Sequence, residues 1–354
     1  MGGTDGKTAG LRAYIGSFTS AGGRGITAAT VDEATGALTP TGWTDAVADP
    51  SYLALDPSRP VLHAVSETEE GAVAAFSVDG PGPRPLGEPV AVRGSGPTHL
   101  CVTAGHVLTA NYGSGSVTAL PLAPDGTPGP ARDVLRHEGG GPDPDRQSGP
   151  HAHQVLPDPS GRWVLAVDLG TDSVTVAALD PSGGTLRLHS QARLRPGSGP
   201  RHLAFHPSGT YAYILNELTP TLTVCRWDAE KGALTPLHEV PVLPEDTPAG
   251  TVRWYPSGIV VAPDGRFLWA AVRGHDGIAV LALDPAGERP APVAAVGCGG
   301  RWPRDLALDP SGRRLYVANE RSGDVTWFDL DPETGLPRRK GALEAPAASC
   351  VVLG

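Results

Sequence analysis

Seven times along this chain a proline leads into a short strand-like run, at intervals of about fifty residues: PSYLAL from Pro50, PTHLCV from Pro97, PHAHQV from Pro150, PRHLAF from Pro200, PSGIVV from Pro256, PRDLAL from Pro303 and PAASCV from Pro346. Several of these runs end in a turn signal and a second strand, as in LDPSRPVLHAV, LPDPSGRWVLAV, FHPSGTYAYIL, VAPDGRFLWAA and LDPSGRRLYVA. A third strand follows in EGAVAAFSV, SGSVTALPL, TDSVTVAAL, TPTLTVCRW, DGIAVLAL and GDVTWFDL, and a more variable fourth precedes the next proline. A four-stranded antiparallel unit repeated at this period is the mark of a β-propeller blade. The long helical periodicity of a β/α barrel is absent.

The two ends complete each other. PAASCVVLG supplies only a first strand, whereas LRAYIGSFTSAGGRGITAATVD supplies the later strands of a blade without a first. Pairing them closes the ring and removes exposed sheet edges. The expectation is therefore an all-β, seven-bladed propeller with four antiparallel strands per blade and about 28 strands in all. It forms one domain over residues 11–354, with residues 1–10 as a disordered tail.

Composition agrees with many short strands, since 47 Gly and 37 Pro accompany 40% apolar residues. The net charge of -10 argues against a nucleic-acid or membrane-surface partner, which needs a broad basic face. No apolar run is long enough to span a bilayer, and MGGTDGKTAGLRAY lacks the apolar core of a signal peptide, so the expected location is cytoplasmic. Cys101, Cys225, Cys298 and Cys350 are too scattered for a zinc knuckle or a disulfide framework and read as reduced packing residues. P-loop, GxSxG and HExxH motifs are missing.

In a propeller the start of strand one and the end of strand two share a rim, so two residue sets converge on one mouth. Aligned on the prolines, the third position carries Leu53, Leu100, His153, Leu203, Ile259, Leu306 and Ser349. His153 thus stands where five of six equivalents are aliphatic. The first position carries Ser51, Thr98, His151, Arg201, Ser257, Arg304 and Ala347, on the same face by strand alternation. Strand two ends in Glu67, Asn111 and Tyr112, Asp168, Asn216 and Glu217, Arg273 and His275, and Asn319 and Glu320. A mouth holding His, Arg and carboxylate groups is a candidate site for a small anionic ligand.

The stretches GPDPDRQSGPHAHQVLPDPSGR, VDLGTDSV, PRHLAFHPSGTYAYILNEL, PDGRFLWAAVRGHDGIAV and RDLALDPSGRRLYVANERSGDV closely resemble the seven-bladed lactonase family that contains bacterial 6-phosphogluconolactonase and the fungal muconate lactonizing enzyme. The resemblance runs from about Tyr14 to the C-terminus. It implies a hydrolase opening a sugar lactone, commonly the phosphorylated lactone of the oxidative pentose phosphate route. The family's polar cluster falls on His151 or His153, Arg201, Glu217 and Arg273. YPSGI at 255–259, VRG at 272–274 and SETEEG at 66–71 depart from the family's usual segments and bear on substrate identity.

A histidine can take a proton from water attacking the lactone carbonyl, and His153 and His151 both qualify. Arg201 and Arg273 are expected to hold the substrate's anionic group and the developing oxyanion. Glu217 neutralises Arg201 or orients a histidine or the water. Arg146 and Gln147, in the loop GGGPDPDRQSG, with His202, His275 and Arg304, are expected to bind substrate, the loop acting as a lid. His206, at the far end of its strand, reads as structural. Two His and a carboxylate could bind a metal, but adjacent arginines would repel a cation, so neither metal nor cofactor is expected. The alternatives are a cycloisomerase or lyase forming or opening a lactone of an unsaturated dicarboxylic acid, or a non-enzymatic protein-binding propeller. A monomer or weak homodimer is expected.

Overall fold

The computed structural model describes residues 10–248 and 250–354, and seven antiparallel sheets take up residues 12–353 of these. The proposed disordered tail, Gly10 apart, lies outside the described residues. Blade 1 joins the two ends of the chain, in the order Ala348–Leu353, Arg12–Ser17, Ile26–Val31 and Leu38–Thr44. Blades 2 to 7 follow in sequence, with innermost strands Leu53–Leu55, Pro97–Thr103, Ala152–Pro157, Pro200–Phe205, Tyr255–Val261 and Pro303–Leu308. Each innermost strand packs against that of the next blade, and Pro303–Leu308 packs against Ala348–Leu353 to close the circle.

Among the described residues there are 29 strands. The additional one arises in blade 2, whose outer strand is broken into Arg84–Pro85 and Val90–Ala91, both paired with Ala72–Ser77. Pro83, Pro85 and Pro89 lack the N–H groups that a continuous ladder requires.

The core is divided. Seven apolar clusters lie one between each pair of neighbouring blades, such as Leu165, Val176, Ile214 and Trp227 between blades 4 and 5. Polar latches at one repeated position supplement them. The third residue of strand two reaches into the outer hairpin of the next blade: His63 Nε2 to Gly126 O at 2.9 Å, Tyr213 Oη to Gly287 O at 2.5 Å, Trp269 Nε1 to Gly335 O at 2.8 Å and Tyr316 Oη to Gly36 O at 2.9 Å. All four acceptor glycines have φ between 68° and 87°, a left-handed turn conformation that glycine adopts without strain. All four cysteines are free.

A second repeated feature is more consequential. In six blades the ladder between strands one and two shifts register next to the mouth. In blade 5, Pro200 pairs with Asn216 and His202 with Leu215, so Arg201 is an extra residue with no partner of its own. The corresponding extra residues are Thr98, His153, Ser257, Arg304 and Ser349. Such β-bulges bend a strand and re-aim one side chain.

This register corrects the alignment on prolines. In blade 4, Ala152 pairs with Asp168 as Pro200 pairs with Asn216, so Pro150 lies two residues ahead of its apparent counterparts; Pro346 is displaced likewise in blade 1. The equivalents of His153 are therefore Ser51, Thr98, Arg201, Ser257, Arg304 and Ser349, all polar, and not leucines. His151 belongs to the approach to the strand and not to this ring.

Trp269 is 2% exposed and bridges blades 6 and 7 through both packing and its latch. Trp269→Ala is expected to destabilise the fold by about 3–5 kcal/mol, read as a lowered midpoint in urea unfolding.

Candidate active site

Two rings of side chains form the mouth. The bulge ring comprises Ser51, Thr98, His153, Arg201, Ser257, Arg304 and Ser349. The second ring stands where strand two ends: the residue after it in blades 2, 3, 5 and 7, and the last strand residue, Arg273, in blade 6. In blades 3, 5 and 7 strand two ends in a fully buried asparagine that ties it to strand three: Asn216 Nδ2, for example, donates to Thr221 and Thr223, both at 2.9 Å. Asn111 and Asn319 do the same in their blades, so these asparagines are structural. The ring residue is released toward the mouth, giving Glu67, Tyr112, Glu217, Arg273 and Glu320. Within a blade the two rings meet, Ser51 with Glu67, Arg201 with Glu217 and Arg304 with Glu320.

Glu217, 3% exposed, is the hub. Its Oε1 accepts a 2.7 Å hydrogen bond from Arg146 Nη2. Its Oε2 lies 3.1 Å from Arg201 Nε and 2.8 Å from Arg273 Nη2. Those two buried N–H groups point off the line to the carboxylate, so the contacts are Coulombic and the donors are unsatisfied. Burial opposes ionisation of Glu217, but Arg273 and Arg201, with Arg146, outweigh it and hold the carboxyl well below the usual carboxylate range. Burial and the neighbouring Arg273 lower Arg201 to about 9, with Glu217 acting in the opposite direction.

His153, 5% exposed, stands edge-on to Tyr112 and His202, with ring centroids 5.6 and 5.3 Å away. Burial, then Arg201, Arg304 and Arg273, push its pKa well below the ordinary histidine value against the pull of Glu217. It is a neutral imidazole at neutral pH. His151 is placed differently: its ring stacks on Tyr112 at 4.4 Å, and its Nδ1 donates to the Tyr112 carbonyl at 2.8 Å. Asp168 fixes the approach, accepting from the His151 N–H at 2.9 Å and from His137 Nδ1 at 2.6 Å.

Other expected binding residues divide. Arg146 reaches from its loop across the mouth to Glu217 and to Tyr112 Oη at 3.2 Å, and Arg304 lies between Glu320, Glu67 and the Phe18 ring. Gln147 does not face the mouth. It is 1% exposed, and its side chain ties the loop to the end of strand two of blade 4 through Leu169 O at 2.8 Å and closes the loop on itself through the Asp143 N–H at 3.2 Å. His202 lies one layer deeper, its Nε2 3.3 Å from Arg201 Nη1. His275 stands edge-on to Trp254 at 5.3 Å, away from the Glu217 cluster. His206 binds Ser208 in its own turn at 2.8 Å.

Of the layer beneath the mouth, where Tyr52, His99, His202 and Asp305 occupy the position after the bulge, the sequence singled out only His202. Tyr52 and His99 rings are 4.0 Å apart, and His99 and His202 5.6 Å. Polar and aromatic residues recurring at one position of otherwise aliphatic strands were the available signal. Glu217 is occupied by three guanidiniums, and among the described residues no group of three or more His, Cys, Asp or Glu side chains is arranged to hold a metal.

The family described as Lactonase, 7-bladed beta-propeller matches residues 12–353. The chain belongs to that lactonase family. The 6-phosphogluconolactonase of Bacillus subtilis (strain 168) is 33% identical over 343 residues, covering 96% of this chain and 97% of the relative. A crystal structure of a protein from Lactobacillus plantarum superposes with a TM-score of 0.90 at 30% identity, over 97% of this chain and 99% of that one. The Pseudomonas aeruginosa periplasmic gluconolactonase PpgL superposes with a TM-score of 0.87 at 27% identity, over 97% and 98%. This lactonase therefore shares its fold with relatives named for phosphorylated and for unphosphorylated sugar lactones. No helix among the described residues is long and apolar enough to cross a membrane.

Asp305, beneath the cluster, has its pKa raised by burial to about 6, against backbone hydrogen bonding and Arg201. A carboxyl raised above its unfolded value contributes stability below the unfolded pKa and loses it as pH rises through about 6. Asp305→Asn is therefore expected to raise the urea midpoint at about pH 8 and to leave it nearly unchanged at about pH 4.

Proposed function

We propose that this lactonase hydrolyses 6-phosphogluconolactone to 6-phosphogluconate by histidine-assisted attack of water. The observation that carries the reading is one buried carboxylate, Glu217, set against three guanidiniums with donors to spare, beside a neutral histidine in their field.

Glu217 is a poor base, because its charge is held by Arg273, Arg201 and Arg146. Its role is to fix those guanidiniums. His153 lies within the same electrostatic field, whereas His151, whose Nδ1 donates to a backbone carbonyl and so leaves the lone pair on Nε2, stacks flat on Tyr112 outside the bulge ring. Water attacks the lactone carbonyl and passes a proton to His153. The carbonyl oxygen, taking the electron pair, is met by the unsatisfied N–H groups of Arg201 and Arg273. Collapse breaks the ring C–O bond, and His153 returns the proton to the leaving ring oxygen, giving the open acid. A weakly basic histidine suffices, because oxyanion stabilisation carries most of the barrier lowering for an ester.

A local excess of arginine on a chain of net charge -10 also favours an anionic lactone over a neutral one. Glu217, already ion-paired, offers a divalent cation no free carboxylate.

The test is acid release from freshly generated 6-phosphogluconolactone over the spontaneous rate. His153→Ala is expected to lose about 10²- to 10⁴-fold in kcat, and His151→Ala much less. EDTA should leave the rate unchanged. Because the His153 pKa is lowered, the acidic limb of kcat/KM should lie well below the ordinary histidine value, leaving activity level between about pH 6 and 8. Acceleration that survives His153→Ala, or a limb near pH 6.5, contradicts the assignment.

A further inference from the structure

Beside the Glu217 cluster, blades 6 and 7 line an open cavity of about 420 Å³, within the range of small-ligand sites. Tyr255 and Trp302 form its inner wall, their ring centroids 6.1 Å apart. Arg273 touches the far side of that wall, its guanidinium 5.8 Å from the Tyr255 ring and 5.7 Å from Trp302. On the cavity side the Arg321 guanidinium stacks 3.4 Å from the Trp302 centroid, and Arg253 lies 5.3 Å from Tyr255. Arg301 completes the lining.

Arg301 and Arg321 differ from the arginines at Glu217 in being unspent, whereas Arg253 Nη2 donates to Leu218 O at 2.8 Å. Among the described residues Arg301 and Arg321 form no ion pair, and Arg253 has only a distant one, 4.0 Å from Asp143. The one acidic residue in the lining, Asp276, is engaged by backbone N–H groups, its Oδ1 accepting from Trp302 at 2.8 Å and Gly274 at 3.2 Å. The wall is also held in strained backbone. Trp302 has φ 64° and Asp276 φ 55°, left-handed values that a bulky residue adopts at a cost and that concentrate at ligand sites.

We propose that this cavity is the subsite for the substrate's phosphate ester, with Arg301 and Arg321 as its main donors and Arg253 at its rim. The lactone ring then lies over Arg273 and His153, and the aromatic wall separates the reacting carbonyl from the phosphate. Guanidinium groups suit a phosphate because they offer paired donors at fixed spacing. The assignment rests on the lactone-hydrolysis reading and specifies what that site selects.

The test compares wild type with Arg301→Gln/Arg321→Gln, on 6-phosphogluconolactone and on unphosphorylated gluconolactone. Both residues are exposed and without ion pairs, so the double variant should fold, as an unchanged thermal midpoint would verify. The ratio of kcat/KM for the phosphorylated over the unphosphorylated lactone is expected to fall about 100-fold, mostly through KM. Calorimetry with 6-phosphogluconate should show at least about a tenfold loss of affinity in the variant, with no matching loss for gluconate. An unchanged ratio and unchanged 6-phosphogluconate affinity would overturn the subsite while leaving the lactonase intact. Should wild type open neither lactone, the hydrolysis reading falls, and the 6-phosphogluconate affinity of the two proteins still decides the subsite.

Discussion

The structure's chemistry depends on a β-bulge repeated around the ring. An ordinary ladder would send alternate residues of the inner strand to opposite faces, between blades, where the seven apolar clusters lie. The extra residue before that ladder resumes is exempt from packing. It can be polar at no cost to the core, and in every bulged blade it is: Thr98, His153, Arg201, Ser257, Arg304 and Ser349. A propeller thereby separates the residues that hold its blades together from those that face a ligand, within one strand. Three of the blades make a parallel division at the end of strand two, where a buried asparagine closes the sheet and the following residue is free.

The electrostatics of the mouth follow from filling those positions with charge. Burying one carboxylate among three guanidiniums leaves net positive charge in a place of low dielectric, where unpaired N–H donors are costly. The cost is tolerable because the neighbouring sheets fix the geometry, and it is relieved when an anion arrives. The same field keeps His153 and His202 neutral, with burial as the larger cause. The site is thus organised to receive negative charge on oxygen, which is what forms when water adds to an ester carbonyl.

Blade number, strand order and ring closure were legible in the sequence, because each rests on apolar runs and turn residues at a regular period. The bulge was not, since it has no composition of its own: only the pairing of Ala152 with Asp168 shows that Pro150 precedes its counterparts by two residues. For this reason His153 was grouped with leucines and His151 with Arg201. Glu217, Arg201 and Arg273 come together as their spacing suggests, because their positions do not depend on that shift. Gln147 and His275 looked equally suited, yet whether an amide closes its own loop or a histidine turns to a tryptophan is decided by contacts that spacing does not encode. The broken outer strand of blade 2, by contrast, was written in its three prolines.

The central claim is that the bulge ring around Glu217 is where the lactone is opened. A crystal structure with 6-phosphogluconate bound tests it most directly. The account predicts the product's carboxylate within hydrogen-bonding distance of Arg201 or Arg273 and next to His153. A product bound at the opposite rim, or in the mouth with its carboxylate turned away from both arginines, would contradict it.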